Sequence, residues 1–182
     1  MTFAHRSTGG RTMQAESRKN TDAAVALAGR VEPMLLELIT AHERLIRVLE
    51  KHRAAISSAD ARALGDVVRD EREVLERITT LDRSCREVLD EWPGGVTVTA
   101  LAEMLSPPDG PRLAESAAYL RALVSRSRTL QSTVREASAS LSAHINGLMR
   151  QVSQRLSHAG TYGPGAKVES RASVVSGLDM SL

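Results

Sequence analysis

The sequence predicts an all-α protein: an antiparallel helical hairpin, a short helix and a long C-terminal helix, forming an elongated, coiled-coil-like bundle with disordered tails. Only four of the 182 residues are aromatic, so the 42% hydrophobic content is almost wholly aliphatic. Such a composition, rich in Leu, Ala, Glu and Arg, is typical of long helices. Apolar residues recur in steps of three and four, and clusters of Pro and Gly separate the segments that carry this pattern.

The first helix is predicted from an apolar seam that begins at Val31. Pro33 suits a first helical turn, so we expect the helix to start near Glu32, with residues 21–30 adding a further turn or two. The steps of three and four place these residues on one face: Val31, Leu35, Leu38, Leu45, Leu49 and Ile56.

The segment "ISSAD" ends this helix and offers Ser57, Ser58 or Asp60 as the N-cap of the next one. The second helix is predicted over residues 61–91, because Trp92 is followed by "PGG", which cannot continue a helix. A short connection between two helices of matched pattern predicts an antiparallel hairpin.

A short helix follows, capped by Thr97 or Thr99 and running through Leu105. "PPDGP" then breaks the chain, and the last helix is predicted over residues 111–158, ending before Gly160. Its apolar seam is the longest in the chain: Leu113, Ala117, Leu120, Val124, Leu130, Val134, Ala137, Leu141, Ile145, Leu148, Val152 and Leu156.

The predicted helices differ in length. At about 1.5 Å per residue, the two hairpin helices are roughly 38 and 46 Å long and the last helix is roughly 72 Å. If the last helix lies antiparallel to the second, residues 142–158 extend beyond the hairpin turn. Five apolar side chains of that overhang, which we call the terminal stripe, would lack cover from their own chain, and this predicts a partner-binding site: Ile145, Leu148, Met149, Val152 and Leu156.

Two alternatives would cover the terminal stripe. Residues 12–30 could fold over it as an N-terminal helical extension, or a homodimer could bury it. Gly147, after Asn146, lies where the overhang begins and could act as a hinge or a point of fraying, since glycine costs a helix about 1 kcal/mol relative to alanine.

The positive charge of the chain lies in its N-terminal tail. Residues 1–22 hold four basic and two acidic residues, and residues 157–182 hold two of each; of the 24 basic and 22 acidic residues, the middle therefore keeps 18 of each. We expect residues 1–22 to be a disordered basic tail, 23–158 a helical domain and 159–182 a flexible C-terminal tail. A neutral body without aromatic stacking platforms predicts no nucleic-acid binding.

The single cysteine excludes an intramolecular disulfide and fits a reducing compartment. No apolar run approaches the roughly 18 residues of a membrane span, and the first 20 residues lack the apolar core of a secretory signal. The expected location is the cytoplasm, without membrane insertion.

No pattern in the sequence indicates catalysis, a metal or a cofactor. The histidines lack the spacing of helical metal ligands, and His42 and His52 fall on the first helix's seam as polar interruptions of the core. Cys85 falls on the apolar stripe of the second helix without a CxxC motif. No phosphate-binding glycine loop is present. We expect a protein that is not an enzyme.

The arrangement resembles the FlgN-like flagellar export chaperones. The residues that carry the resemblance are the hairpin turn, where Ser58-Ala59-Asp60 is followed by Leu64, and the "GTYGPGA" tail with Tyr162-Gly163 soon after the last helix. The resemblance spans residues 31–166. It implies a cytoplasmic chaperone that covers the C-terminal helical segments of hook-filament junction proteins until export and delivers them to the export gate.

The resemblance also implies that the C-terminal region makes the contacts, with the terminal stripe and Tyr162 as the partner-binding residues. Tyr162 could contact the export gate, the cargo or its own helix end. A structural coiled coil that mediates self-association is the alternative function, and a nucleic-acid accessory protein that uses the basic tail is a third.

Overall fold

The computed structural model describes the backbone of residues 9–159 and the side chains of residues 19–156. Over this range the chain forms helices and no strand, which confirms the all-α prediction. The helices are α1 (Gly9–Ser58), α2 (Ala61–Asp90), α3 (Val98–Met104) and α4 (Asp109–Ala159). The structure divides into two compact units between Ala137 and Ser138, so α4 contributes to both.

In the first unit, α1 and α2 form the predicted antiparallel hairpin. Polar side chains beside the apolar seam link the two helices, and their α1 numbers rise as their α2 numbers fall. The pairs are Arg30 with Glu91, Glu37 with Arg77, Arg44 with Glu73, and His52 with Glu71. All but the last are exposed pairs, which contribute at most about 1 kcal/mol each, so they fix the register of the hairpin more than its stability.

The hairpin turn is a Schellman motif followed at once by an N-cap. The Ala59 amide donates to the Ile56 carbonyl at 3.1 Å, and the Asp60 amide donates to the Ala55 carbonyl at 3.2 Å. This geometry needs a left-handed residue, and Ala59 has φ of +51°. The Asp60 carboxylate then accepts the first free amides of α2, from Arg62 and Ala63, both at 3.0 Å.

The buried side chains form two clusters along the bundle. The first joins the early part of α1 to the end of α2, α3 and the start of α4, through Ala24, Leu27, Ala28, Val31, Leu35, Leu38, Ala41, Leu81, Cys85, Leu101, Ala102, Leu105 and Leu113. The second lies toward the hairpin turn and consists of Leu45, Val48, Leu49, Val67, Val74 and Val134.

The predicted start of the first helix near Glu32 is wrong, because α1 begins at Gly9 and Pro33 lies inside it. Residues 9–22, expected to be disordered, are therefore helical. A proline inside a helix costs about 3 kcal/mol or more. Burial of apolar side chains such as Leu27 and Val31, at about 1.5–3 kcal/mol each, is large enough to offset that cost.

At the α3–α4 corner, α3 lies where the sequence predicts it, and α4 begins at Asp109, two residues before the predicted start at Pro111. The Thr97 hydroxyl accepts the Ala100 amide at 3.1 Å and caps α3. Gly110, in the first turn of α4, lies against the α3 backbone: a Cβ atom placed there would stand 2.6 Å from the Ala102 carbonyl oxygen and 2.7 Å from that of Leu105. Only glycine allows this approach.

Within the first unit, α4 runs parallel to α1. Side chains of α4 reach carboxylates of α1 in rising order: Arg112 to Glu32, Tyr119 to Glu43 and Arg126 to Glu50, at 2.8–2.9 Å. The predicted seam of α4 is buried or half-buried from Leu113 to Val134, and it includes two buried residues that the spacing missed, Leu123 and Ser127.

Replacing Ala59 with glycine should stabilise the protein. An L-residue in the left-handed region costs about 1–2 kcal/mol, and glycine loses about 0.5–1 kcal/mol in extra chain entropy, so Ala59→Gly should raise the free energy of unfolding by about 0.5–1 kcal/mol. Urea denaturation followed by circular dichroism measures this. Ala54→Gly, an exposed helical site in α1, is the matched control and should destabilise by about 1 kcal/mol. Equal losses in the two variants would contradict the strain at Ala59.

Candidate partner-binding surface

The second unit carries the terminal stripe on the last turns of α4. Ile145, Leu148, Val152 and Leu156 follow one another in steps of three and four residues, and Met149 lies beside them, so all five side chains share one face of the helix. Their exposed fractions range from 48% for Leu148 to 68% for Leu156. The face is therefore apolar and open to solvent.

The exposure contrasts with the same helix in the first unit. There, α4 seam residues such as Leu113 and Val134 are only 3% and 4% exposed. Large contiguous apolar surfaces are uncommon on soluble proteins that act alone, and they mark sites where another protein, a membrane or a ligand binds. Leu, Ile, Val and Met side chains supply contact area without directional bonds, and Met adapts its shape to a partner.

In the N-terminal part of α1, the apolar residues Ala24, Leu27 and Val31 are buried in the first core cluster, together with α3 residues and Leu113. The terminal stripe residues are about half exposed or more. The alternative that residues 12–30 cover the terminal stripe stays a prediction. Gly147 lies within continuous α4 helix, and no atom stands within 4 Å of a Cβ placed there.

The polar residues around the terminal stripe are cationic or neutral. Arg150 and Arg155 are exposed, and the sequence contains no Asp or Glu between Glu136 and Glu169. Neither arginine forms an ion pair with another described residue. In the first unit, by contrast, arginines beside the seam pair with carboxylates of a neighbouring helix.

Tyr162, the sixth predicted partner-binding residue, lies outside the described residues, as does the "GTYGPGA" segment around it. The structure thus describes all five residues of the terminal stripe on one helix face, and its relation to Tyr162 stays a prediction.

The histidines on the α1 seam lie within the bundle, as their spacing predicts. His52 is buried, and its Nδ1 lies 2.8 Å from a carboxylate oxygen of Glu71. His42 is half-buried, and its Nδ1 has no hydrogen-bond partner. Burial lowers the pKa of His42, and the nearby charge of Asp82 opposes that shift in part. The neutral ring is therefore the favoured form in the folded protein.

Cys85 is buried on α2, as predicted. Burial raises the pKa of its thiol, and the charge of Asp82 raises it further, so the thiol is not activated as a nucleophile. Among the described residues, no group of three or more His, Cys, Asp or Glu side chains is placed to hold a metal ion.

Within the part of the chain that the structure describes, no helix combines the length and the apolar character needed to cross a bilayer.

These features define an all-α protein whose longest helix ends in an exposed apolar face. The family model described as FlgN protein matches residues 29–170. Because the match covers more than half of the chain, the chain belongs to the FlgN family, a family of flagellar export chaperones. Chaperones of this family bind flagellar hook-associated proteins. No curated protein and no solved structure matches the chain significantly.

The half-buried ring of His42 should make the stability of the bundle depend on pH. Its folded-state pKa lies below the unfolded value of about 6.5, so stability is full above that value and falls as the pH decreases and the unfolded chain takes up the proton first. His42→Leu removes both the titration and the unpaired nitrogen. Urea denaturation at pH 7.5 and about pH 5.5 should therefore show a smaller loss of stability in His42→Leu than in the wild type. Equal losses would contradict the assignment.

Proposed function

We propose that this protein is a cytoplasmic flagellar type III export chaperone. It binds the C-terminal helical segments of hook-filament junction proteins (the hook-associated proteins), prevents their premature aggregation and delivers them to the export gate. The single observation that carries this proposal is the exposed terminal stripe in a member of the FlgN family. The chaperone acts by binding alone, without catalysis, metal or cofactor.

The mechanism follows from the apolar character of both surfaces. A junction-protein segment that will later pack against its neighbours in the assembled flagellum exposes apolar side chains before assembly. When the segment docks on the terminal stripe, the apolar side chains of both surfaces leave water; on the chaperone these are Ile145, Leu148, Met149, Val152 and Leu156. Each Å² of apolar surface buried contributes about 25 cal/mol to the free energy of binding. The segment would bind as an amphipathic helix laid along the last turns of α4.

Release requires the complex to be reversible, and the site suits that need. The terminal stripe is a single face of one helix, which gives a modest interface compared with an enclosed groove.

Tyr162 follows the end of α4 by a few residues in the sequence, and we propose that its ring contacts the export gate. A Tyr162→Ala variant that keeps full cargo affinity but loses binding to gate protein would support that role, and a loss of cargo affinity would contradict it.

Introducing positive charge into the terminal stripe should abolish cargo binding. The double variant Leu148→Arg/Val152→Arg places two cations in the centre of the terminal stripe, while both positions are exposed, so the helix should still form. In calorimetric titrations with the C-terminal segment of a hook-associated protein from the same organism, the wild type should bind saturably. The double variant should bind at least about a hundredfold more weakly, because hot-spot truncations cost 2 kcal/mol or more each.

Ala139→Arg/Ala143→Arg is the matched control. These two exposed residues are also four apart on α4 but lie on the face away from the terminal stripe, and they add the same charge. The control should bind as the wild type does, and circular dichroism should show equal helicity in all three proteins. If the wild type fails to bind and forms a stable oligomer instead, the structural coiled coil is the better account.

A further inference from the structure

The flank of the terminal stripe repeats a pattern by which α4 contacts α1 in the first unit. Three residues of α4 that immediately precede a seam residue bond to a carboxylate of α1: Arg112 before Leu113, Tyr119 before Leu120 and Arg126 before Ser127. Their partners are Glu32, Glu43 and Glu50. On this flank of α4, a hydrogen-bond donor beside the seam therefore meets a glutamate on the helix that covers the seam.

The same position recurs in the second unit. His144 immediately precedes Ile145, and Arg155 immediately precedes Leu156. A residue one position before a stripe residue lies about 100° around the helix from it, on the same edge each time. Both side chains are exposed, and neither forms an ion pair with a described residue. The donors are thus in place, and the carboxylates that would accept from them lie on no described part of the chain.

The charge of the segment disfavours one obvious occupant. Residues 137–168 contain no Asp or Glu, so a second copy of this segment packed stripe to stripe would offer cations but no carboxylate to Arg155. Like charges across such an interface are unfavourable, and in specific complexes they select against the wrong partner. A second copy of the terminal stripe is therefore a poor cover for the first.

We infer that the terminal stripe selects a partner helix whose apolar face is bordered along one edge by carboxylates, with Arg155 and His144 as the residues that recognise them. This inference rests on the proposed function and gives the chemical character of the segment that binds: an amphipathic helix with acidic residues on one edge, as α1 has beside α4. The apolar contacts supply the affinity, and the acidic edge supplies the register and the discrimination between segments.

Arg150 provides an internal control for the role of Arg155. It follows Met149 directly, on the edge of the terminal stripe opposite Arg155, and lies about 200° around the helix from both Leu148 and Val152. Arg150→Glu and Arg155→Glu change the net charge equally, on the same helix and at exposed positions. They differ in which edge of the terminal stripe they alter.

The test titrates the full-length wild type and both variants with the C-terminal segment of a hook-associated protein. Arg155→Glu should weaken binding about fivefold or more, and Arg150→Glu should stay within about twofold of the wild type. Raising NaCl from about 50 mM to about 500 mM should weaken wild-type binding more than Arg155→Glu binding, because screening removes an attraction that the variant lacks. Reversing an edge carboxylate of the segment to Arg should restore affinity for Arg155→Glu.

The outcomes separate this inference from the proposed function. If Leu148→Arg/Val152→Arg abolishes binding while Arg155→Glu and Arg150→Glu behave alike, the partner site stands and the acidic edge is overturned. If the wild type does not bind, both fail for this partner. If sedimentation shows a dimer that Leu148→Arg/Val152→Arg dissociates, the occupant is a second copy and the inference is overturned.

Discussion

Burial of the apolar face of α1 is the constraint on which the rest of the first unit depends. Side chains from α2, α3 and α4 all pack into clusters that contain α1 residues. The ion pairs between helices described above each have one partner on α1. With so few aromatic residues, the core depends on a long seam of Leu, Val and Ala rather than on a few large anchors. A seam of this kind must be covered along its whole length to keep its side chains out of water.

The proposed partner-binding surface follows from that same requirement. α4 carries a seam of uniform character, which is buried or half-buried from Leu113 to Val134, whereas the terminal stripe residues are about half exposed or more. Side chains of the kind that bury well in the first unit are thus exposed in the second. The polar residues beside the seam repeat as well. Arg155 immediately precedes Leu156, just as Arg126, which pairs with Glu50 of α1, immediately precedes Ser127. The proposed cargo helix would thus be held as α1 is held.

Sequence reasoning predicted most of the fold, because its signals were local. The spacing of three and four residues and the Pro-Gly clusters predict α2, α3, α4 and the turn to within a few residues. The cap candidates read from the sequence included Asp60 and Thr97, which the structure selects. The predicted start of α1 was wrong because Pro33 reports only a local preference for the first turn of a helix. The part of α1 before Pro33 is stabilised by burial against α3 and α4 residues that are distant in the sequence. The terminal stripe was predictable from spacing. The proposed role of Arg155 and His144 could not be predicted from spacing, because it is inferred from the bonds that Arg112, Tyr119 and Arg126 make to α1.

The central claim is that the terminal stripe of α4 is the surface that binds the cargo, and hydrogen exchange measured by mass spectrometry tests it most directly. Amides of residues 138–159 should exchange faster than those of residues 31–56 in the free chain, because a helix without packing opens easily. Adding a hook-associated protein should slow exchange in residues 138–159 and leave the hairpin unchanged. Protection confined to the hairpin, with residues 138–159 still exchanging fast in the complex, would contradict the account.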